Sequence, residues 1–249
     1  MSIENVYGNA QVYENAEVFG NAQVYGEARV YGEARVSEGA RVSGSAQVSG
    51  DARVFGDAQV YENARVYGDA LFSRNAEVYG DAEVYGDAWV SGDARVYENA
   101  RVFGNAQVYE NARVFGNAQV YGDTRVFGDA QVYDNARVFG NAQVYGDARV
   151  FGDAQVYGDA QVFGDARVSE DAQVYAPNHI IVISGYLRSS FTVYRTNDGH
   201  RVQAGCQNFR LTDDVELIAR THEWVLPRGW ETVRDGLLAS VKGWHSDAA

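Results

Sequence analysis

The sequence predicts a mainly β protein, in which a coiled rod of short strands is followed by a small α+β domain. Three observations predict this fold class. Val recurs at every sixth position from Val6 to Val174, with Phe72 as the single exception. Ala stands four positions after each Val, with Thr124 as the single exception. The repeat ends at Ala176-Pro177, and a sequence of ordinary mixed composition follows.

One unit of the repeat reads Ala-Arg-Val-Tyr-Gly-Asn. A period of six drifts off the 3.6-residue turn of an α-helix, but it fits a short strand plus a corner. Ala and Val lie two positions apart, so they share one side of the strand, while Arg and Tyr take the other side. Gly followed by Asn or Asp turns the chain, because Gly and Asn tolerate positive φ. Such strands coil into a prism with a Val and Ala core.

The hexads of residues 5 to 175 resemble the hexapeptide-repeat family. The resemblance implies a left-handed parallel β-helix with 18 residues per coil and nearly ten coils, which is a rod about 45 Å long. The left-handed sense comes from the resemblance alone. We therefore expect a β-helix over residues 1–176 and a small α+β domain over residues 177–249, which caps one end of the rod.

The net charge of −13 lies entirely on the repeat. Residues 1–174 hold 26 acidic residues and 13 arginines, whereas residues 175–249 are neutral overall. An acidic surface repels phosphates, so we expect no nucleic-acid partner and leave room for a basic protein partner. The single cysteine gives no disulfide framework, and no apolar stretch is long enough for a membrane span. These features predict a cytoplasmic protein without a membrane partner.

The position after each Val points outward and forms aromatic columns. It holds Tyr 15 times, Phe 8 times and Ser 6 times. Residues 18 positions apart fall on the same side of the rod, so their rings stack in ladders. Stacking stabilises β-surfaces, which is one interpretation of the ladders. The other is a surface for self-association or a ligand, and we expect a homo-oligomer.

The repeat departs from its own pattern around Leu71 and Trp89, which stand where Arg, Gln or Glu is usual. The two residues are 18 positions apart, and so are Ser73 and Ser91, which replace two aromatic residues. One interpretation is local repacking, with Trp89 leaning over the gap left by the serines. The other is a partner-binding patch, since Trp, Arg and Tyr are favoured anchors in interfaces. The candidate partner-binding residues of the rod are Arg53, Phe55, Leu71, Ser73, Trp89, Ser91 and Tyr109.

Enzymes of the hexapeptide-repeat family use histidine, and this rod has none. The acyltransferases use a His as general base, and the carbonic anhydrases hold zinc with three His between subunits. The four histidines of this chain all follow the repeat, at His179, His200, His222 and His245. We therefore predict no catalytic residue, metal site or cofactor. Corner aspartates could attract Ca²⁺, but their use in turns explains them more simply.

The C-terminal domain is predicted to combine strands and helices. The segments 179–183 and 190–206 indicate a buried strand and a hairpin with an Asn-Asp-Gly turn. Helices are predicted from Thr212 to about Glu223 and from about Trp230 to Trp244. The segment 191–214 resembles a small domain found behind hexapeptide repeats in bacterial and phage-encoded proteins, and this resemblance implies an accessory role rather than an activity.

Two features of this domain have open interpretations. Cys206 is either a packed core residue or, with a nearby His, a thiol nucleophile. Arg195 and Arg201 lie with two other arginines around the hairpin, as a solvated face or as a contact for an anion or an acidic protein.

The function predicted from these features is a non-enzymatic scaffold or protein-binding β-solenoid, and a phage-encoded accessory protein acting on a host factor is one form of it. The alternatives are an acyltransferase-like enzyme with a rebuilt site and an acidic decoy that mimics nucleic acid. The 13 interspersed arginines argue against the decoy.

Overall fold

The structure, a computed structural model, describes residues 5–176, 180–186, 189–196, 199–204 and 207–210. Residues 5–176 form a parallel β-solenoid. Strand registers are offset by 18 residues, as in the pairs Gln11 with Arg29 and Val12 with Val30. The predicted coil of three hexads is therefore confirmed, and nine complete coils plus one further strand are present. The left-handed sense stays a prediction from the resemblance.

Twenty-eight short strands, β1 to β28 in chain order, form three parallel sheets that we call faces 1, 2 and 3. Face 1 contains Gln11–Val12, Arg29–Val30, Gln47–Val48, Arg65–Val66, Glu83–Val84, Arg101–Phe103, Gln119–Tyr121, Arg137–Val138, Gln155–Val156 and Gln173–Val174. Face 2 contains Glu17–Val18, Arg35–Val36, Arg53–Val54, Leu71–Phe72, Trp89–Val90, Gln107–Val108, Arg125–Val126, Gln143–Val144 and Gln161–Val162. Face 3 contains Gln23–Val24, Arg41–Val42, Gln59–Val60, Glu77–Val78, Arg95–Val96, Arg113–Val114, Gln131–Val132, Arg149–Val150 and Arg167–Val168.

The core of the rod consists almost wholly of Val and Ala. From Ala22 to Val174 every inward Val and Ala is fully buried. The two exceptions to the repeat, Phe72 and Thr124, are also fully buried and occupy the inward positions that the pattern assigns to them. Each buried Val contributes about 1.5 to 3 kcal/mol relative to an exposed one, so stability accumulates coil by coil.

The corners after face 3 follow a rule of alternation. From the third coil onward, glycine and a side-chain-bearing acidic residue alternate at the position of positive φ, in the order Gly44, Glu62, Gly80, Glu98, Gly116, Asp134, Gly152 and Glu170. A Cβ added to Gly80 would lie 2.8 Å from the backbone nitrogen of Glu98, and one added to Gly116 would lie 2.7 Å from that of Asp134. Side chains therefore cannot occupy this corner position in two successive coils unless the backbone shifts.

Three of the acidic residues at these corners, Glu62, Glu98 and Asp134, also accept a hydrogen bond from the next coil. The Gly80 N–H donates to Glu62 Oε2 at 2.8 Å, and the Gly116 N–H donates to Glu98 Oε2 at 2.8 Å. The same bond recurs in the other two corner columns, for example from Gly32 to Glu14. A carboxylate that accepts a backbone N–H offsets part of the cost of its own left-handed conformation.

The C-terminal part forms a four-stranded antiparallel sheet. Its strands are β29 (Ile180–Tyr186), β30 (Ser189–Thr196), β31 (Gly199–Ala204) and β32 (Gln207–Arg210), and they pair in this order. The hairpin predicted from the Asn-Asp-Gly turn is confirmed by β30 and β31, and β32 adds a strand that was not predicted. The two predicted helices and Cys206 lie outside the described residues. No helix within the described residues is long and apolar enough to cross a membrane.

Strand β30 packs against the last coil of the rod. The Arg167 N–H donates to Thr192 Oγ1 at 2.9 Å, and the Tyr194 hydroxyl lies 3.1 Å from the Ser169 hydroxyl. Tyr194 is fully buried by this contact region. Strand β30 therefore packs on the last coil at the C-terminal end of the solenoid.

Candidate functional site

Aromatic ladders cover all three faces, and each is built from the outward residue that follows Val. Ring centroids of successive coils lie 4.8 Å apart in the pair Tyr61 and Tyr79, with planes only 6° from parallel. The ladder on face 3 runs without a break from Tyr61 to Phe151, and that on face 1 from Tyr67 to Tyr175. The predicted stacking is therefore confirmed on these faces.

Face 2 differs because its ladder is shorter, with serines in the two coils that precede it. The stacked rings begin only at Tyr109, which lies 5.0 Å from Phe127. Ser73 and Ser91 hold the two positions before Tyr109, and Phe55 holds the position before them. Burial raises the pKa of the Tyr109 hydroxyl, which is consistent with a close-packed ladder edge at this point.

Leu71 and Trp89 lie side by side next to these two serines. The register pairs Leu71 with Trp89 directly, with Arg53 paired to Leu71 on one side and Gln107 paired to Trp89 on the other. The structure thus brings together every candidate binding residue that the sequence analysis placed on the rod. We call the set Leu71, Ser73, Trp89 and Ser91 the face 2 patch.

The residues of the face 2 patch differ in how far they are exposed to solvent. Ser73 and Ser91 are only 7% and 5% exposed. Trp89 is nevertheless 42% exposed. The two serines are therefore buried, whereas a large part of the indole is in contact with solvent.

The same two coils carry a different arrangement on the other faces. Glu83 on face 1 lies between Arg65 and Arg101, with nitrogen–oxygen distances of 3.4 Å to each. Glu77 on face 3 pairs with Arg95 at 3.4 Å. Exposed pairs of this kind contribute at most about 1 kcal/mol each. Faces 1 and 3 are thus charged and paired where face 2 is apolar.

The corner beside the patch is also unusual. Arg74 adopts a φ of 61° at a corner position that elsewhere holds Gly or an acidic residue. An arginine cannot accept the hydrogen bond that Glu38 and Glu110 accept from the next coil in the same corner column. Arg74 is exposed, and it places a cation at one border of the patch.

Arg195 and Arg201 lie apart from the patch, on the sheet at the C-terminal end of the rod. Arg195 is in β30 and pairs in register with His200 of β31. Arg201 Nη1 lies 3.3 Å from Glu170 Oε2 of the last coil, so this arginine joins the sheet to the rod. This role of Arg201 was not predicted from the sequence. The one sequence feature that pointed to a contact here is Ser169, which lies under β30 and replaces the usual aromatic residue of the repeat.

The described residues contain no group of three or more His, Cys, Asp or Glu side chains placed to hold a metal ion. Two polar grooves of about 420 and 410 Å³ run along corners of the rod. The first is lined by Asn75, Glu77, Asp93, Arg95, Asn111, Arg113 and Asp129. The second is lined by Ser45, Gln47, Asn63, Arg65, Asp81, Glu83, Asn99 and Arg101. Both linings consist of repeat residues in their ordinary positions.

Solved structures similar to this chain are hexapeptide-type proteins at low identity. One is described as an Arabidopsis UDP-N-acetylglucosamine acyltransferase, with 11% identity, a TM-score of 0.37, and coverage of 68% of this chain and 70% of that one. Another is a hexapeptide transferase family protein from Anaplasma phagocytophilum, with 10% identity, a TM-score of 0.22, and coverage of 68% and 75%. These likenesses concern the fold alone. The comparison with curated proteins found no match.

The repeat family described as "YdcK Beta solenoid repeat" matches nine segments of the rod, which together cover 127 of the 249 residues. The segments are 22–38, 28–44, 46–62, 58–74, 94–110, 106–122, 130–142, 142–158 and 160–176. Between the first and last of them, the longest unmatched stretch is 75–93, which contains Trp89 and Ser91. With more than half of its length matched, the chain belongs to the YdcK beta-solenoid repeat family.

Proposed function

We propose that this protein is a non-enzymatic, protein-binding β-solenoid and that the face 2 patch is its binding surface. The observation that carries the proposal is the exposure of Trp89. Six large hydrophobic residues are exposed among the described residues, and five of them lie in the first 25 residues or at Phe163. Trp89 is the one in the middle of the rod, where the coils on both sides are complete.

The chemistry of a large exposed indole supports this proposal. Trp is among the residues that contribute most binding energy when they become buried in an interface. Leu71 extends the apolar surface to a second coil, and the regular solenoid holds both side chains on a rigid sheet. Because such a surface is already ordered, it loses little conformational entropy when a partner binds.

The composition of the rod supports a binding role over a catalytic one. Residues 5–176 contain no His, Cys or Lys, which are the residues that most often act as a base or nucleophile near neutral pH. The alternative function is acyl transfer from acyl-CoA, which requires the protein to bind CoA. A calorimetric titration of the full chain with CoA that released heat at one saturable site would favour that alternative.

The proposed partner is another protein or a second copy of this chain. The resemblance of residues 191–214 to a domain of phage-encoded proteins supports a host protein as that partner, met in the cytoplasm. Self-association is the second form of the proposal, because the aromatic ladders present apolar edges along the rod.

Replacing Trp89 tests the proposal. Trp89→Gln introduces a residue common at this position of the repeat, and Arg125→Gln makes the same replacement two coils further along face 2. We expect a partner, or a second copy, to bind the wild type and Arg125→Gln and to be lost from Trp89→Gln. The measurements are quantitative affinity capture from host lysate and light scattering of the pure proteins. Unchanged partners and unchanged mass for Trp89→Gln would refute the face 2 patch as the binding surface.

A further inference from the structure

The corner that precedes face 2 carries an unbroken run of acidic residues. They are one coil apart and occupy the positions Glu33, Asp51, Asp69 and Asp87. Asn occupies this position in the coils before and after the run, at Asn15 and Asn105. Successive coils of the sheet are about 4.8 Å apart, so the four carboxyl groups span about 14 Å along the rod.

The residue two positions after each of these acids differs between the two halves of the run. Glu33 and Asp51 are followed by Arg35 and Arg53, which place a cation on the adjoining edge of face 2. Asp69 and Asp87 are followed instead by Leu71 and Trp89. The replacements that create the apolar patch therefore also leave Asp69 and Asp87 without an arginine two positions further on.

Asp69 and Asp87 are exposed, and neither carboxylate has a hydrogen bond or an ion pair within the described residues. Some corner aspartate carboxylates elsewhere do have partners, whereas others, such as those of Asp57 and Asp147, have none within the described residues. Asp81 accepts from Asn63 Nδ2 at 3.1 Å, and Asp93 accepts from Asn75 Nδ2 at 2.8 Å. The corner of face 2 thus presents two adjacent like charges without compensation, next to an exposed indole.

We propose that the partner of the face 2 patch is a basic segment of a protein, with two Lys or Arg side chains that contact Asp69 and Asp87 and one large apolar side chain that packs on Leu71 and Trp89. This proposal rests on the protein-binding function proposed above. In this arrangement the basic side chains and the large apolar side chain of the partner contact neighbouring columns of the same two coils. Arg53 and Arg74 border the patch and repel a basic segment that is displaced along or across the face.

The charge pattern favours this occupant over other classes. A nucleic acid or an anionic membrane surface would place its phosphates against Asp69 and Asp87, which is unfavourable. A purely apolar segment would bury Trp89 but would leave the two carboxylates partly desolvated without a partner. A basic segment with an apolar anchor satisfies both columns at once.

A peptide selection tests this inference directly. A randomised library of dodecapeptides is selected on the immobilised full-length wild type, with counter-selection on the triple variant Asp69→Asn, Asp87→Asn, Trp89→Gln. We expect enriched peptides to carry at least two Lys or Arg residues and one aromatic or large aliphatic residue. The affinities of the enriched peptides are then measured by fluorescence polarisation at low and high salt.

The single-site variants make the result specific to this surface. We expect Trp89→Gln to weaken binding about 30-fold, as loss of a strong anchor does. We expect Asp69→Asn with Asp87→Asn to weaken it about three- to tenfold at low salt, and less at high salt. The matched control, Asp129→Asn with Asp147→Asn, removes two acidic residues from another corner and should change affinity by less than about twofold.

The possible failures are distinguishable. Enriched peptides that need Trp89 but are neutral or acidic would overturn the basic partner while leaving the proposed function intact. Peptides that are basic but bind the triple variant equally well would show attraction to the acidic rod in general, and would overturn the site. An absence of any peptide dependent on Trp89 would count against both this inference and the proposed function.

Discussion

Thr124 is the inward side chain that breaks the Ala pattern, and its hydroxyl has no hydrogen-bond partner within the described residues. The residue is fully buried between the coils of face 2. Its backbone carbonyl accepts from the Gln107 N–H at 2.9 Å, so only the side chain is unsatisfied. A buried hydroxyl without a partner costs about 1 to 3 kcal/mol. Thr124 is therefore a weak point in an otherwise apolar core.

Restoring the repeat at this position should stabilise the protein. We expect Thr124→Ala to raise the free energy of unfolding by about 1 kcal/mol, because it removes an unsatisfied hydroxyl without disturbing the backbone. The measurement is urea denaturation followed by circular dichroism. The reciprocal change Ala106→Thr, one coil earlier in the same column, should destabilise by a similar amount. A lower free energy of unfolding for Thr124→Ala would show that the hydroxyl has a favourable contact.

Individual residues also mark what the sequence could not reveal. The inward positions of Phe72 and Thr124 follow from the six-residue period alone, and both are confirmed. The burial of Ser73 and Ser91 does not follow from the period, because it depends on how the neighbouring side chains pack. The repeat pattern carries no information about that packing.

At the scale of the elements, the ladders give the tyrosine hydroxyls a distinctive titration. Burial, with the charge of Glu77 as the next cause, raises the pKa of Tyr61 to about 12. The pKa values of other ladder tyrosines are also raised, mainly by burial, at Tyr67, Tyr79, Tyr85, Tyr97, Tyr109 and Tyr133. A ring that stacks on its neighbours in the ladder loses solvent that would stabilise its phenolate.

This titration predicts a loss of stability in alkali. A folded-state pKa above the unfolded value of about 10 stabilises the fold fully below pH 10, and this stabilisation is lost as the pH rises towards 12. Absorbance at 295 nm should show phenolate formation in the folded rod well above pH 10, whereas the urea-unfolded chain should titrate near 10. Tyr61→Phe should reduce the late component. A single transition near pH 10 in the folded protein would contradict the prediction.

The elements also separate what was predictable from what was not. The strands, corners and ladders could be predicted because each depends on residues within one hexad or on positions 18 apart. The alternation at the corners, such as Gly80 with Glu98, is visible in the sequence, but its steric reason depends on the distance between coils. The docking of β30 through Tyr194 could not be predicted, because it joins two parts of the chain with unrelated sequence patterns.

At the scale of the whole molecule, the rod is a stack of similar coils with strand β30 packed on the last of them. Each coil contacts mainly its two neighbours, so removing coils should shorten the rod without unfolding it. The corner rule limits which coils can be removed. A deletion of two coils preserves the alternation after face 3, whereas a deletion of one coil that carries the glycine corner brings two side-chain-bearing residues together.

Two deletions test this rule. Removing residues 99–134 places Glu98 before Gly152 in the corner column, and we expect a cooperative fold about 10 Å shorter, with a melting temperature close to that of the wild type. Removing residues 99–116, in the Thr124→Ala background, places Glu98 directly before Asp134. We expect a lower melting temperature for this longer protein, because the Cβ of Glu98 would press on the backbone of Asp134.

Small-angle scattering and thermal unfolding provide the measurements. The Thr124→Ala change in the one-coil deletion removes the buried hydroxyl, which the two-coil deletion also lacks. A melting temperature for the one-coil deletion at or above that of the two-coil deletion would refute the corner rule.

The alternation of glycine and acidic residues at the corners also has a consequence for how such a gene can lengthen. If a coil with an acidic corner is copied in tandem, that corner becomes its own neighbour, and the duplicated product begins with a steric fault. A copy of 36 residues carries both members of the alternation and is neutral at that corner. Four of the matched family segments begin at residues 22, 58, 94 and 130, at intervals of 36. A pair of coils can thus extend this rod without a steric fault wherever the copied segment begins, whereas a single coil can do so only when its corner holds glycine.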